Sequence, residues 1–280
     1  ASVVRRWIAD HDDHGIDAAT VLLALHTAVT AWPITADRMT EYLVKSAREA
    51  DLHTSWTAPV EAYESGLGAL AADLEVEFGL DPDDPALGAI VSRTLRPGWA
   101  TSLALLVVRL TSPGVPDLYQ GTVSFTYSLV DPDNRVEPDW DERRALVAAA
   151  SDLDGPRAWS GEDVEAAKAV VITRTLALRR RRAAAFGAEA GYLSLAVSGT
   201  HADRVLAFAR TAPGSGPLVV TLVAMRSSGS WDDTAVILPP GSWRNVLADG
   251  SQVVAGGTAV PFSEWLDTFP VAVLDRTDLV

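Results

Sequence analysis

The spacing of apolar residues changes once along this chain, at Gly187, and that change restricts the fold more than any other feature. Before Gly187 apolar residues recur at every third and fourth position; after it they come in short runs divided by Gly and Pro turns. A helix buries one stripe of its surface, whereas successive strand side chains point to opposite faces, so the two stretches need different secondary structure. Sequence therefore predicts a mixed α and β chain, mainly helical in its first two thirds and antiparallel β in its last.

Within the helical stretch the start and stop signals are explicit. Asp17 caps a helix with Val21, Leu22, Leu25, Ala28 and Val29 on one side, and Pro33 ends it. Thr35 caps the next, which turns Met39, Tyr42, Leu43 and Ala47 inward; Thr57 with Pro59 opens a third that Gly79 closes, and Asp84 with Pro85 opens a fourth. Residues 99–111 are apolar nearly all round, the mark of a buried helix. Ser112-Pro113-Gly114 breaks it, and Val115-Pro116-Asp117-Leu118-Tyr119-Gln120-Gly121 reads as a short strand ending in a Gly turn. A buried helix, a short strand and a polar loop make one step of a parallel α/β layer, in which function sits after the strand. Helices at 141–153 and 161–182 follow, the second with Ser160 and Asp163 at capping-box spacing and with Arg179 to Arg182 complementing its dipole. Beyond Gly187 the runs Tyr192–Val197, Arg204–Arg210, Leu218–Val223, Thr234–Leu238, Trp243–Leu247 and Val271–Leu274 predict an antiparallel β-sandwich. Trp231, Trp243 and Trp265 read as its core.

Charge and composition exclude several functions. A net charge of −14 over 280 residues opposes binding to nucleic acid or to an anionic membrane surface, and no apolar run reaches the roughly 18 residues of a membrane span. Zero cysteines leave no disulfide framework, thiolate nucleophile or Cys-type zinc site, which fits a cytoplasmic protein. The five histidines are scattered, and His11 and His14 with Asp10, Asp12 and Asp13 read as a polar loop rather than a metal site. No nucleophile elbow, phosphate-binding Gly loop or dinucleotide fingerprint is present, so nucleotide chemistry is not expected. The chain opens Ala1-Ser2-Val3-Val4-Arg5-Arg6-Trp7, with neither an initiator Met nor a signal peptide, so it is expected to begin inside a longer protein.

Carboxylates and aromatics remain, the equipment of a sugar site. Asp131, Asp133, Asn134 and Arg135 offer acceptors and donors to hydroxyls, and Trp56, Tyr119, Tyr127 and Trp140 offer flat apolar faces to pyranose rings. Spacing alone leaves a salt-bridged turn and ordinary core aromatics as open alternatives.

One run goes further. Thr111-Ser112-Pro113-Gly114-Val115-Pro116-Asp117-Leu118-Tyr119-Gln120-Gly121, followed by Asp131-Pro132-Asp133-Asn134-Arg135, resembles the last barrel strand and its loop in the maltooligosyltrehalose synthases of the α-amylase superfamily. Tyr42-Leu43-Val44-Lys45-Ser46-Ala47-Arg48-Glu49-Ala50 leading to Leu52-His53-Thr54-Ser55-Trp56 agrees, as do Leu176 to Arg180 and the C-terminal Val205 to Arg210, Leu238 to Trp243 and Pro270 to Leu274. The chain departs from the family pattern at Val123, Ser124 and Phe125, where Glu and then Trp are usual, at Val136 for Arg, at Asp51 for Lys, and at Thr101 for Asn.

The resemblance implies a division into a helical subdomain inserted in the barrel (1–97), the C-terminal part of a (β/α)8 barrel (98–186) and a terminal β-sandwich (187–280). It implies an isomerase of trehalose biosynthesis, converting the reducing-end α-1,4 bond of a maltooligosaccharide to an α,α-1,1 bond by intramolecular transglucosylation without a cofactor. The family's nucleophile, acid/base and third carboxylate lie upstream of the matched segment, so no catalytic residue is assigned here and the chain alone is expected to be inactive. By the resemblance, Tyr119 and Gln120 line the site, Asp131, Asp133, Asn134 and Arg135 bind hydroxyls near the reducing end, and His53 and Trp56 reach the same cleft. The expected partners are a maltooligosaccharide and the N-terminal catalytic part of the enzyme, with no nucleic acid and no membrane. A non-catalytic glucan-binding module and another glucan hydrolase of the superfamily are the competing readings.

Overall fold

The computed structural model describes residues 9, 15–79, 88–129, 136–160, 164–226, 230–250 and 252–279. The chain divides into two compact units, one of residues 1–96 and 127–137, the other of 97–126 and 138–280.

The first unit is built on α1 (Ala18–Thr30), α2 (Ala36–Ala50), α3 (Glu61–Gly79) and the start of α4 (Gly88–Thr111). Asp17 caps α1 by accepting the N–H groups of Ala19 and Thr20, and Thr35 caps α2 by accepting that of Arg38. Residues three and four apart supply the core: Val21, Ala24, Leu25 and Ala28 of α1, Met39 and Leu43 of α2, Leu67, Leu70, Ala71 and Leu74 of α3, and Val91 of α4. α3 opens at Glu61, later than the Thr57–Pro59 signal. The chain before it is occupied by a turn in which the Ser55 hydroxyl accepts the Ala58 N–H and the Thr54 hydroxyl accepts that of Val60. The expected fourth cap at Asp84–Pro85 lies outside the described residues. Pro97 lies inside α4, where it has no N–H to give the helical hydrogen bond to the preceding turn, and the boundary between the units falls at this residue.

The second unit continues α4 and adds α5 (Trp140–Ala149), α6 (Gly155–Ser160) and α7 (Glu165–Arg181), then β1 (Gly191–Ser194), β2 (Val197–Ser198), β3 (Val205–Ala212), β4 (Gly216–Ala224), β5 (Ala235–Ile237), β6 (Ser242–Asn245), β7 (Val254–Ala255), β8 (Ala259–Pro261), α8 (Ser263–Leu266) and β9 (Val271–Arg276). The strands form two antiparallel sheets, ordered β1-β3-β4-β9-β6-β7 and β2-β5-β8. Val219, Val223, Val271 and Val273 of the larger sheet join a core with Leu103, Val107 and Leu110 of α4 and Val170 and Val171 of α7. Val220, Leu222, Ala272 and Leu274 face the other way and pack with Val236 of β5 and Val260 of β8. Burial on both faces explains why Leu218–Val223 is almost continuously apolar. Trp231, Trp243 and Trp265 are buried in the core shared by the two sheets, as the sequence predicts.

Two sequence expectations are corrected. Val115–Leu118 forms no strand, and Tyr119–Gly121 is a turn of 3₁₀ helix. A strand exists only through a ladder with a neighbour, and among the described residues every strand of the unit belongs to the two antiparallel sheets, neither of which includes this segment. The helix expected over 161–182 begins at Glu165, with Asp163 outside the described residues and Ser160 ending α6. Arg179 to Arg182 do more than balance a dipole: Arg179 donates to the carbonyls of Leu110 and Gly114, and Arg181 and Arg182 converge on Asp275 of β9.

Candidate functional site

Of the predicted site residues, His53 and Trp56 share one turn of the first unit, between α2 and α3. α2 ends at Asp51 in the left-handed region (φ 53°), a conformation Asp tolerates better than most residues, and the Asp51 N–H still closes on the Ala47 carbonyl. The turn is anchored from beneath. Thr54 is buried, and its hydroxyl donates to Glu64 Oε1 at 2.6 Å while accepting the Val60 N–H at 3.0 Å. Arg48 of α2 grips the same carboxylate with two hydrogen bonds of 2.8 and 2.6 Å. The Arg48 hydrogen bonds, followed by that from Thr54, hold the Glu64 carboxyl down at about 2.

With its base fixed, the turn presents its aromatics outward. The Trp56 ring lies on the Arg48 guanidinium at 5.0 Å and is 59% exposed, so it is a supported platform and no part of a core. His53 stacks on Tyr63 of α3, with ring centroids 4.8 Å apart and planes inclined by 23°. Its Nε2 lies 3.5 Å from Asp17 Oδ2, and the Tyr63 hydroxyl donates to the same oxygen at 2.9 Å. Burial alone would raise the Asp17 carboxyl, but hydrogen bonds from Thr20 and Tyr63 and the nearby His53 bring it below its ordinary value. Asp17, Thr20, Ser46, His53 and Tyr63 edge a cavity of about 190 Å³ with Leu43 and Leu52 among its apolar lining. The sequence alone shows Asp17 only as a cap and gives no sign of Tyr63 and Glu64, because contacts 46 and 16 residues apart leave no local signal.

Tyr119 and Gln120 sit in the 3₁₀ turn of the second unit. Gln120 and Gly121 both have positive φ, 50° and 58°. Arg143 of α5 donates to the Gln120 carbonyl, and the Trp140 ring lies so close to Gly121 that an added Cβ would come within 2.9 Å of it. Only glycine fits there. Tyr119 is 59% exposed. Further along, Val123 joins the core, Phe125 packs against Trp99, and Lys168 of α7 donates to the Ser124 carbonyl. Val123 and Phe125, two of the departures from the family pattern, are therefore packing residues in this chain. Desolvation lowers the Lys168 ammonium to about 8, and Arg109 and Arg143 add to the shift against the opposing charge of Glu165.

Asp131, Asp133, Asn134 and Arg135 lie outside the described residues. The segment leading to them belongs to the first unit, where Arg38 donates to the Tyr127 carbonyl at 2.8 Å and Leu129 packs on the helical core. Among the described residues no group of three or more His, Cys, Asp or Glu side chains could hold a metal ion, and no helix is long and apolar enough to cross a membrane.

No family model matches the chain. A putative maltooligosyl trehalose synthase of Mycobacterium tuberculosis is 32% identical over 270 residues, which cover 93% of this chain and 32% of that protein. The chain is similar to part of a maltooligosyltrehalose synthase. In structure it matches the maltooligosyltrehalose synthase of Arthrobacter ramosus with a TM-score of 0.77 and 29% identity, over 98% of this chain and 35% of that one. A hypothetical maltooligosyl trehalose synthase of Sulfolobus tokodaii has the same fold over 98% of this chain and 34% of its own, with a TM-score of 0.69 and 23% identity. The chain thus spans about a third of the length of the synthases it matches, and the likeness runs through both units.

Proposed function

We propose that this chain is the C-terminal part of a maltooligosyltrehalose synthase, an isomerase of trehalose biosynthesis acting in the cytoplasm. The whole enzyme breaks the α-1,4 bond beside the reducing-end glucose and rejoins the freed anomeric carbon to that glucose's own anomeric hydroxyl, giving an α,α-1,1 bond. Nothing is gained or lost in the exchange, so no cofactor is required. A carboxylate nucleophile and a carboxylic acid carry such chemistry through a covalent glycosyl intermediate with retention, and both belong to the part of the enzyme before this chain. The chain by itself is inactive.

In this reading residues 1–97 are a helical subdomain inserted in the barrel, 98–186 complete the (β/α)8 barrel and 187–280 form a terminal β-sandwich. Trp56 stacks on a pyranose ring, and His53, Tyr119, Gln120, Asp131, Asp133, Asn134 and Arg135 bind sugar hydroxyls near the reducing end. One observation carries most weight: His53 and Trp56 are held outward by an anchor of buried Thr54 with half-buried Glu64 and Arg48. An anchored, exposed aromatic is what sugar stacking requires and what a folding core does not. Native mass spectrometry of the purified protein, followed by a reducing-end assay with maltopentaose, tests the proposal. Activity is expected only where this chain is joined to, or co-purifies with, a polypeptide of about barrel size. Loss of reducing ends by the 29.7 kDa chain alone would overturn it.

A further inference from the structure

We propose that Asp17 and Tyr63 are positioning residues that fix the ring of His53 so that its Nδ1 accepts a hydrogen bond from a hydroxyl of the glucan; this rests on the reading of His53 as a glucan contact. Capping α1 needs only one carboxylate oxygen, and Asp17 Oδ1 does it alone, accepting the N–H groups of Ala19 and Thr20 at 3.1 Å each. Asn or Ser would cap as well. Oδ2 is the oxygen a cap does not explain: it accepts the hydroxyls of Thr20 at 2.8 Å and Tyr63 at 2.9 Å and lies 3.5 Å from His53 Nε2.

The two neighbours restrain different motions of the imidazole. Stacking on Tyr63 sets its plane, and the Asp17 charge decides which edge turns inward. A negative oxygen beside Nε2 favours the tautomer with the proton on Nε2, which leaves Nδ1 as an acceptor. Among the described residues Nδ1 has no hydrogen-bond partner, and the His53 side chain, 48% exposed, borders the cavity that Asp17, Ser46 and Tyr63 edge. The Tyr63 hydroxyl, bonded to Asp17 Oδ2, in turn holds that oxygen in place.

Asp17→Asn separates positioning from capping. It keeps an acceptor for the cap but puts an amide donor where Oδ2 was, so the amide donates to Nε2 and the imidazole proton moves to Nδ1. In the full-length enzyme, Asp17→Asn and Asp17→Ser are expected to raise KM for maltopentaose about tenfold while kcat stays within about twofold and Tm is nearly unchanged. Tyr63→Phe, which keeps the stacking, should raise KM by about threefold. Asp17→Asn added to His53→Ala should have no further effect, because the residue it positions is gone. Nitrogen-15 NMR of His53 should show the Nε2–H tautomer in the parent and the Nδ1–H tautomer in Asp17→Asn. The inference is overturned if His53→Ala raises KM but Asp17→Asn does not, or if both proteins show one tautomer. If the enzyme forms trehalose ends and His53→Ala leaves KM unchanged, the assignment of His53 as a glucan contact fails instead.

Discussion

Replacing Asp275 with Ala should separate the large sheet from the end of α7 at a cost that the structure lets one work out. Asp275 is 8% exposed in β9. It accepts Arg182 Nε at 2.8 Å and Arg181 Nη2 at 2.9 Å. Arg182 is mostly enclosed, at 17% side-chain exposure, and among the described residues truncating Asp275 leaves its charge with the carbonyls of Arg276 and Leu279. Breaking a buried pair by removing one partner costs about 3–5 kcal/mol when the remaining charge is fully enclosed, so about 2–3 kcal/mol is expected here. Arg181 is half exposed and adds at most about 1 kcal/mol. The total, about 2–4 kcal/mol, corresponds to a fall in Tm of about 10 °C for a unit of this size. Thermal unfolding followed by near-ultraviolet circular dichroism measures it. Asp275→Asn, which keeps acceptors but no charge, should fall between parent and Ala, and salt up to about 0.5 M should narrow the gap only slightly because the Arg182 pair is shielded from solvent. A loss below about 1 kcal/mol, or one abolished by salt, would refute the argument that burial makes this pair strong.

Other outcomes follow from the same physics. Trp243 is fully buried and its indole N–H donates to the Pro239 carbonyl at 2.8 Å, so Trp243→Ala should cost about 3–5 kcal/mol in urea unfolding. Glu64 is held at about 2 against an ordinary 4.5, so its grip on the turn is complete above about pH 4.5 and is lost as pH falls toward 2. The Trp56 indole NMR signal should sharpen over that interval, and Glu64→Gln should show the sharpened signal at neutral pH. Lys168 is lowered from 10.5 to about 8, so the unfolded chain binds more protons than the folded one between those values and stability should rise with pH across them. Lys168→Met should remove that rise, as read from the pH dependence of the urea midpoint.

Local physics made much of the fold readable. Asp17 and Thr35 cap where a side-chain oxygen precedes an apolar stripe, and the change of spacing at Gly187 marks the passage from helices to strands. Trp231, Trp243 and Trp265 are recognisable as core because large aromatics in or beside the apolar runs of a sheet are usually well buried. What sequence hid was non-local. Val115–Leu118 has strand composition but, among the described residues, no ladder partner, and composition carries no information about whether a neighbouring strand is there to pair with. β7 and β8, of two and three residues, are too short for an alternation to register. Helices covering one face of the large sheet erased the polar half of the pattern expected for a free-standing sandwich. In the candidate site, the family likeness drew attention to His53 and Trp56, but the anchor of Thr54, Glu64 and Arg48 and the second oxygen of Asp17 emerge only when α2 and α3 are brought together.

The most direct test of the central claim is product analysis by proton NMR of maltopentaose incubated with the full-length protein that contains this chain, beside the same protein carrying Trp56→Ala. The account predicts that reducing-end anomeric signals disappear without release of glucose, that an α,α-1,1 anomeric signal replaces them, and that Trp56→Ala slows the exchange by about tenfold or more at low substrate. Free glucose or shorter maltooligosaccharides with their reducing ends intact, or an exchange indifferent to Trp56, would contradict it.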